Sequence, residues 1–144
     1  MMSGIRAKDT RPEMFLRLKL HALGFRYRIH VKDIPGKPDI VLPKHRALIV
    51  VHGCFWHGHD CRYFKLPQTR QEFWQQKIAS NMARDSRDLA QQLAMGWRVL
   101  TVWECAVRAS MRATPMLDCA ALAARWIIDG PAHCVMDESG ITEA

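Results

Sequence analysis

Five consecutive aliphatic residues, Ala47 to Val51, run directly into a ten-residue segment, His52 to Cys61, that holds three histidines, two cysteines and an aspartate. An unbroken aliphatic run marks a strand covered on both faces, near the centre of a sheet. The chain is therefore constrained to bury a strand that empties into a loop rich in metal-ligand side chains. A second buried strand, WRVLTVWEC, ends in Cys105. If the two strands are sheet neighbours, Cys105 lies beside the loop that follows Val51.

The other elements follow from periodicity and punctuation. Thr10 with Glu13 reads as a capping box, Pro12 suits a first helical turn, and apolar residues recur at helical spacing until Gly24, which predicts a helix from about Arg11 to Leu23. Phe25 to His30 alternates apolar and polar positions like a half-buried strand, and VKDIPGKP then breaks it. Ile40 to Leu42 is a short strand expected to neighbour Ala47 to Val51 across the turn PKHR. Thr69 with Glu72 reads as a second capping box, opening a long helix that ends near Gly96. Thr114 and Pro115 introduce a last helix, LDCAALAARWII, and from Gly130 onward the chain is polar enough to be loosely held. The order predicts an α/β fold, a mixed central sheet flanked by helices, with one domain over 1–130 and a polar tail over 131–144. Ligand sites in such sheets favour strand ends and the loops after them, where Asp39 and the histidine-rich segment fall.

Charge is unevenly placed. Of the formal +7, residues 1–46 hold eleven Lys or Arg against four Asp or Glu, whereas residues 47–144 hold ten against ten. A polyanion contacting the first third, nucleic acid above all, is the partner this predicts. No apolar run approaches the length of a membrane span and the N-terminal residues carry no signal-peptide pattern, so a soluble cytoplasmic protein without a membrane partner is expected. The five cysteines, odd in number, favour metal ligation or free thiols over a disulfide framework.

Cys54, His59 and Cys61 have the soft-ligand character and close spacing that zinc prefers, and Cys105 is the best fourth ligand. A closed site of three cysteines and one histidine leaves no position for water, so this zinc would be structural. Spacing leaves open whether His59 or His57 is the ligand. The histidine not used suits general-base work beside a metal-bound water. Asp39 follows Gly36-Lys37-Pro38 at the start of a strand among basic residues, where a carboxylate can hold a hard cation such as Mg2+ near a phosphate.

Taken together, IRAKDTRPE, DIPGKPDIV, VHGCFWHGHDC, TRQEFWQQKIASNMARD and GWRVLTVWEC resemble the very-short-patch repair endonucleases, which are variants of the restriction-endonuclease-like, PD-(D/E)xK, fold. The resemblance covers about Met2 to Arg108. It implies an enzyme that nicks double-stranded DNA on the 5′ side of the thymine in a G:T mismatch left by deamination of 5-methylcytosine, after which repair synthesis replaces the strand. Asp39 is then the Mg2+ carboxylate and His57 the base or proton carrier. Glu13 joins the active site from the first helix, His52 lies near the scissile phosphate, and a main-chain carbonyl at Val51, where threonine is usual, also serves the Mg2+. The implied zinc ligands are Cys54, His59, Cys61 and Cys105. A monomer, a cognate cytosine methyltransferase and downstream repair proteins are implied as well.

A G:T wobble pair weakens stacking, so flat side chains wedge into it at lower cost. Phe55, Trp56 and Trp74 are the wedge candidates, and the resemblance has the first two inserted beside the mismatch from a loop that zinc makes rigid. Core packing on a long helix is an equal reading for Trp74. The family's further basic N-terminal segment contributes an intercalating side chain at a position that falls on Met2. This chain starts almost there, so weaker DNA binding is expected, with Arg6, Lys8, Arg11, Lys32 and Lys37 supplying the remaining phosphate contacts. Two rival readings stand beside this one: a zinc-stabilised DNA-binding module without catalysis, and a nuclease of the same fold cutting fully paired DNA. A zinc nucleobase deaminase is excluded, because no His-x-Glu is paired with Cys-x-x-Cys.

Overall fold

The computed structural model describes residues 10–144, so Met2, Arg6 and Lys8 lie outside the described residues. In chain order the elements are α1 (Arg11–Ala22), β1 (Ile40–Leu42), β2 (Ala47–His52), α2 (Gln71–Ala94), β3 (Arg98–Trp103), α3 (Glu104–Ser110), α4 (Cys119–Asp129), β4 (His133–Asp137) and β5 (Gly140–Glu143). The strands form one mixed sheet in the order β1-β2-β3-β4-β5. The inner three run parallel, and β1 and β5 are antiparallel additions at the two edges. Both expected neighbour relations hold: Ile40 lies opposite Ile49, and Val51 opposite Val102.

Alternation along the strands sorts their side chains onto two faces. Ile40, Leu42, Ala47, Ile49, Leu100, Val102, Cys134 and Met136 pack with Leu16 and Leu20 of α1, Ala106 and Val107 of α3, and Trp126 and Ile127 of α4. The opposite parity, Val41, Leu48 and Val99, packs with Ile34 and with Leu89 and Leu93 of α2. Three helices thus cover one face and a single long helix the other. That arrangement leaves a cleft of about 260 Å³ between α2 and the far half of the sheet. Among the described residues no helix is long and apolar enough to cross a membrane.

Thr10 caps the first helix as read: its hydroxyl accepts the Glu13 N–H at 3.4 Å and donates to the Glu13 carboxylate at 2.9 Å. The second does not. Helix α2 starts only at Gln71, after Arg70 in a left-handed conformation (φ 57°), with no side-chain cap. Phe25 to His30 is not a strand; it contributes one isolated bridge, between Arg28 and Val41. The strand expected to end in Cys105 stops at Trp103, because Glu104 opens α3, where Glu104 and Arg108 pair at 2.5 Å four residues apart. The last helix is capped by the Asp118 carboxylate, which accepts the Ala121 N–H, rather than introduced at Thr114 and Pro115.

The largest correction concerns the expected tail over 131–144. It supplies two strands, β4 being parallel to β3, with Cys134 and Met136 buried. The apolar run Cys134-Val135-Met136 is the strand signal, and it outweighs the polarity of the residues on either side.

Candidate active site and metal centre

Asp39 stands just before β1, at the edge it shares with β2. Its N–H donates to the Ile49 carbonyl at 3.1 Å, and its carboxylate accepts the Val51 N–H at 2.6 Å. A strand residue sends its N–H and C=O out on the same edge, so the Val51 carbonyl is also turned toward Asp39. Glu13, 4% exposed, reaches the same place from the first turn of α1 and accepts Arg17 Nη2 at 3.2 Å. Burial, and then the adjacent Glu13 carboxylate, hold the Asp39 carboxyl well above the usual carboxylate range, against the opposing pull of the Val51 N–H and the Arg17 charge. Two crowded carboxyl groups and a carbonyl are hard oxygen donors, and a divalent cation relieves their mutual repulsion. The donor set fits Mg2+.

One residue beyond Val51 the chemistry changes character. The rings of His52, at the end of β2, and His57, in the loop, stack with centroids 4.0 Å apart and planes 7° from parallel. Asp85 of α2 faces both: its Oδ2 is 2.5 Å from His57 Nδ1, and its Oδ1 is 4.0 Å from His52 Nε2. A carboxylate on one ring nitrogen fixes the tautomer and leaves the other nitrogen to act. Burial lowers the His52 imidazole to about 4, the proximity of His57 adding to the effect and Asp85 opposing it. For Asp85 itself burial pushes upward, but the hydrogen bond with His57 and the charges of His52, His57 and Arg84 hold it below the ordinary range. The three groups lie within 4.8 Å of one another, close enough to consider an ion. Nearly parallel rings, however, do not aim their lone pairs at one point, so the arrangement is that of a positioned base.

Sequence reading missed Asp85. The legible signal was its place in α2, seven residues after Ile78 and seven before Gln92, the only two residues of that helix that are buried. A carboxylate on the inward line of an amphipathic helix has a partner below it.

Cys54, His59, Cys61 and Cys105 bring their ligand atoms within 4.8 Å of one another. Cys54 and Cys105 are buried; the Cys105 N–H donates to Cys54 Sγ at 3.4 Å, and Cys105 Sγ lies 3.7 Å from His59 Nδ1. Three thiols and an imidazole at this spacing fit a closed tetrahedral zinc site. Of the two histidines that spacing left open, His59 is in this cluster and His57 is not. The loop is braced from outside as well. Glu104 accepts the Cys54 N–H at 3.3 Å, and Asn81 of α2 donates to the Trp56 carbonyl at 2.9 Å. Gly58, between the two histidines, has φ +69° and lies so close to α2 that a Cβ would sit 3.0 Å from Ile78 Cγ2.

The wedge candidates form one half-buried group. Phe55 lies 5.1 Å from Trp56 and 5.7 Å from Trp74, and Trp74 is also 5.7 Å from Trp56 and 5.1 Å from Phe73, centroid to centroid. Trp74 is thus no core residue; it touches both loop aromatics and is half-buried as they are.

Hard oxygen donors on one side of the β2 terminus and a held imidazole on the other suit the hydrolysis of a phosphodiester, the chemistry of a nuclease. Comparison with known proteins makes this specific. Residues 1–63 match the family model described as DNA mismatch endonuclease Vsr. DNA mismatch endonuclease Vsr of Escherichia coli is 42% identical over 97% of this chain and 89% of its own length. Type II nicking enzyme V.XorIIP of Xanthomonas oryzae pv. oryzae is 52% identical over 73% of this chain and 77% of its own. Type II nicking enzyme V.NmeAIP of Neisseria meningitidis serogroup A is 41% identical over 75% and 77%. The chain belongs to the Vsr family of DNA mismatch endonucleases. Its substrate is DNA, and the reading as a binding module without catalysis is set aside.

Proposed function

We infer that the enzyme nicks double-stranded DNA on the 5′ side of the thymine in G:T mismatches, as the incision step of very-short-patch repair. The observation that carries this reading is the adjacency, at the end of β2, of the Asp39 carboxylate on the Val51 N–H and the His52–His57–Asp85 cluster. Asp39, the Val51 carbonyl and Glu13 hold Mg2+, which when bound polarises a phosphoryl oxygen and lowers the pKa of water. Only the carbonyl of residue 51 is needed for this, so valine in place of the family's usual threonine is tolerated. His57, its Nδ1 committed to Asp85, takes the proton of the attacking water at Nε2. His52, neutral near pH 7, donates or accepts a hydrogen bond beside the scissile phosphate.

Zinc on Cys54, His59, Cys61 and Cys105 does no chemistry; it fixes the loop that carries His57, Phe55 and Trp56. Phe55 and Trp56 insert beside the mismatch with Trp74 behind them, and Met2 inserts from the N-terminal segment. The enzyme acts as a monomer in the cytoplasm, on lesions at sites of a cognate cytosine methyltransferase, and hands the nick to downstream repair proteins.

End-labelled duplexes carrying each mismatch in turn, and the fully paired control, test the reading. Mg2+-dependent nicking confined to G:T is the expected result. Equal cutting of paired DNA would make this a sequence-specific nicking enzyme instead.

A further inference from the structure

Residues 47–144 carry ten positive and ten negative side chains, so their sequence average shows no basic surface. The fold nevertheless separates these charges along α2. Phe73, Lys77, Ser80, Arg84, Arg87 and Gln91 are spaced by four, three, four, three and four residues, which places them on one stripe of the helix. All six are exposed, and none is acidic. Arg70 extends the stripe at its head, its guanidinium 4.3 Å over the Phe73 ring. Two of the helix's three carboxylates are turned off the stripe into the structure: Asp85 is paired with His57, and Asp88 lies against Gly36. The helix buries only Ile78 and Gln92. The third carboxylate, Glu72, is exposed at the head of the helix beside Phe73, so from Lys77 to Gln91 the stripe carries three cations and no carboxylate, a separation of charge that core packing does not require.

We propose that this stripe, Arg70–Lys77–Arg84–Arg87, is a second phosphate track, which fixes the position of the DNA backbone relative to His57. The inference rests on the nuclease reading and deepens it. From Arg70 to Arg87 the stripe spans about 25 Å at the helical rise, the length of about seven base pairs of duplex. Its head adjoins the aromatic group through Phe73 and Trp74, and its middle, Arg84, immediately precedes the carboxylate that holds the catalytic imidazole. A backbone bound there is in register with the base through one rigid helix. Contacts of this kind carry position and no sequence information, so the track serves matched and mismatched DNA alike.

The test is the salt dependence of binding. Full-length protein is titrated, without Mg2+ so that nothing is cut, against a G:T duplex and its fully paired counterpart over a series of KCl concentrations, with anisotropy as the readout. Replacing Lys77, Arg84 and Arg87 by Gln should make the slope of log K against log[salt] shallower by about 2 to 3 on both duplexes, close to 0.9 per lost contact. The double variant Arg84→Gln with Arg87→Gln should give about two-thirds of that change. Lys44→Gln with Arg112→Gln and Arg125→Gln alters net charge equally elsewhere on the surface and should leave the slope near wild type. An unchanged slope in the stripe variants, or an equal change in the control, overturns the track. Failure of the mismatch reading appears separately, as wild-type protein that cuts both duplexes alike.

Discussion

Gly58→Ala probes whether the loop carrying both the base and a zinc ligand is seated on α2 as described. Two penalties arise. A residue with a Cβ held at φ +69° costs about 1 kcal/mol. The new methyl would also lie 2.7 Å from Met82 Sδ and 3.0 Å from Ile78 Cγ2. Met82 is half exposed and unbranched, so it swings away at little cost, whereas Ile78 is 5% exposed and stiff at its branched carbon. Ile78 therefore decides the steric part, about 1–2 kcal/mol for modest overpacking. The expected loss in urea unfolding of the zinc-loaded protein is about 2–3 kcal/mol, together with faster zinc release to a chelator and a lower nicking rate. A double-mutant cycle isolates the contact: in an Ile78→Ala background the cost of Gly58→Ala should shrink by about 1 kcal/mol. A cost below about 0.5 kcal/mol, or no coupling to Ile78, would refute the seating of the loop on the helix.

Three further outcomes follow from the site. Asp85→Asn should lower kcat for nicking by on the order of 10²-fold or more with KM little changed, because it removes the group that orients His57 and leaves the DNA-facing surface intact; single-turnover kinetics separate the two parameters. Asp39→Asn should abolish nicking yet stabilise the metal-free protein at neutral pH: a carboxyl whose folded pKa is raised binds a proton that the unfolded chain has lost, so wild-type stability falls as pH climbs from the ordinary carboxylate pKa to the raised one. Denaturant midpoints measured across that range should decline with pH in the wild type more than in the variant. Cys105→Ser should reduce bound zinc well below one ion per chain by metal analysis and destabilise the fold, while an equivalent change at Cys134, buried away from the cluster, leaves zinc content unchanged.

The sheet's centre was legible because its signal is local. Ala47 to Val51 is wholly aliphatic and Trp97 to Trp103 is rich in β-branched and aromatic residues, both strand signals, and neighbouring strands follow once Cys105 is asked to meet Cys54. Whatever depended on the third dimension was less legible. Phe25 to His30 has a strand's alternation, yet beside the three-residue β1 it makes only one bridge. The polar stretch after Gly130 was read by composition, although its alternating Cys134 and Met136 fill the sheet's main core. Asp39, His57 and the four residues of the cysteine-histidine cluster could be singled out because they cluster in sequence or match a family pattern. Asp85 went unnamed because it stands outside the histidine-rich segment, on a helix whose buried residues, Ile78 and Gln92, are not titratable.

The geometry also gives a reason for the structural role proposed for a metal at the cysteine-histidine cluster. His52 is fixed by β2, but His57 sits in a loop whose backbone hydrogen bonds are those of successive turns and must nonetheless hold an imidazole to a fraction of an ångström. A hydrophobic anchor would compete with Phe55 and Trp56, whose rings the proposed insertion into DNA requires outside. A zinc ion on Cys54 and His59 would clamp the chain on both sides of those rings and of His57, and Cys105 would tie the clamp to the first turn of α3, next to the parallel neighbour of β2. Helix α2 closes the arrangement from the opposite side through Asn81 and Asp85. Loosening either clamp should therefore disturb mismatch recognition and bond cleavage together. A variant of the zinc site that retained full nicking but lost mismatch preference would show that the two functions are held separately.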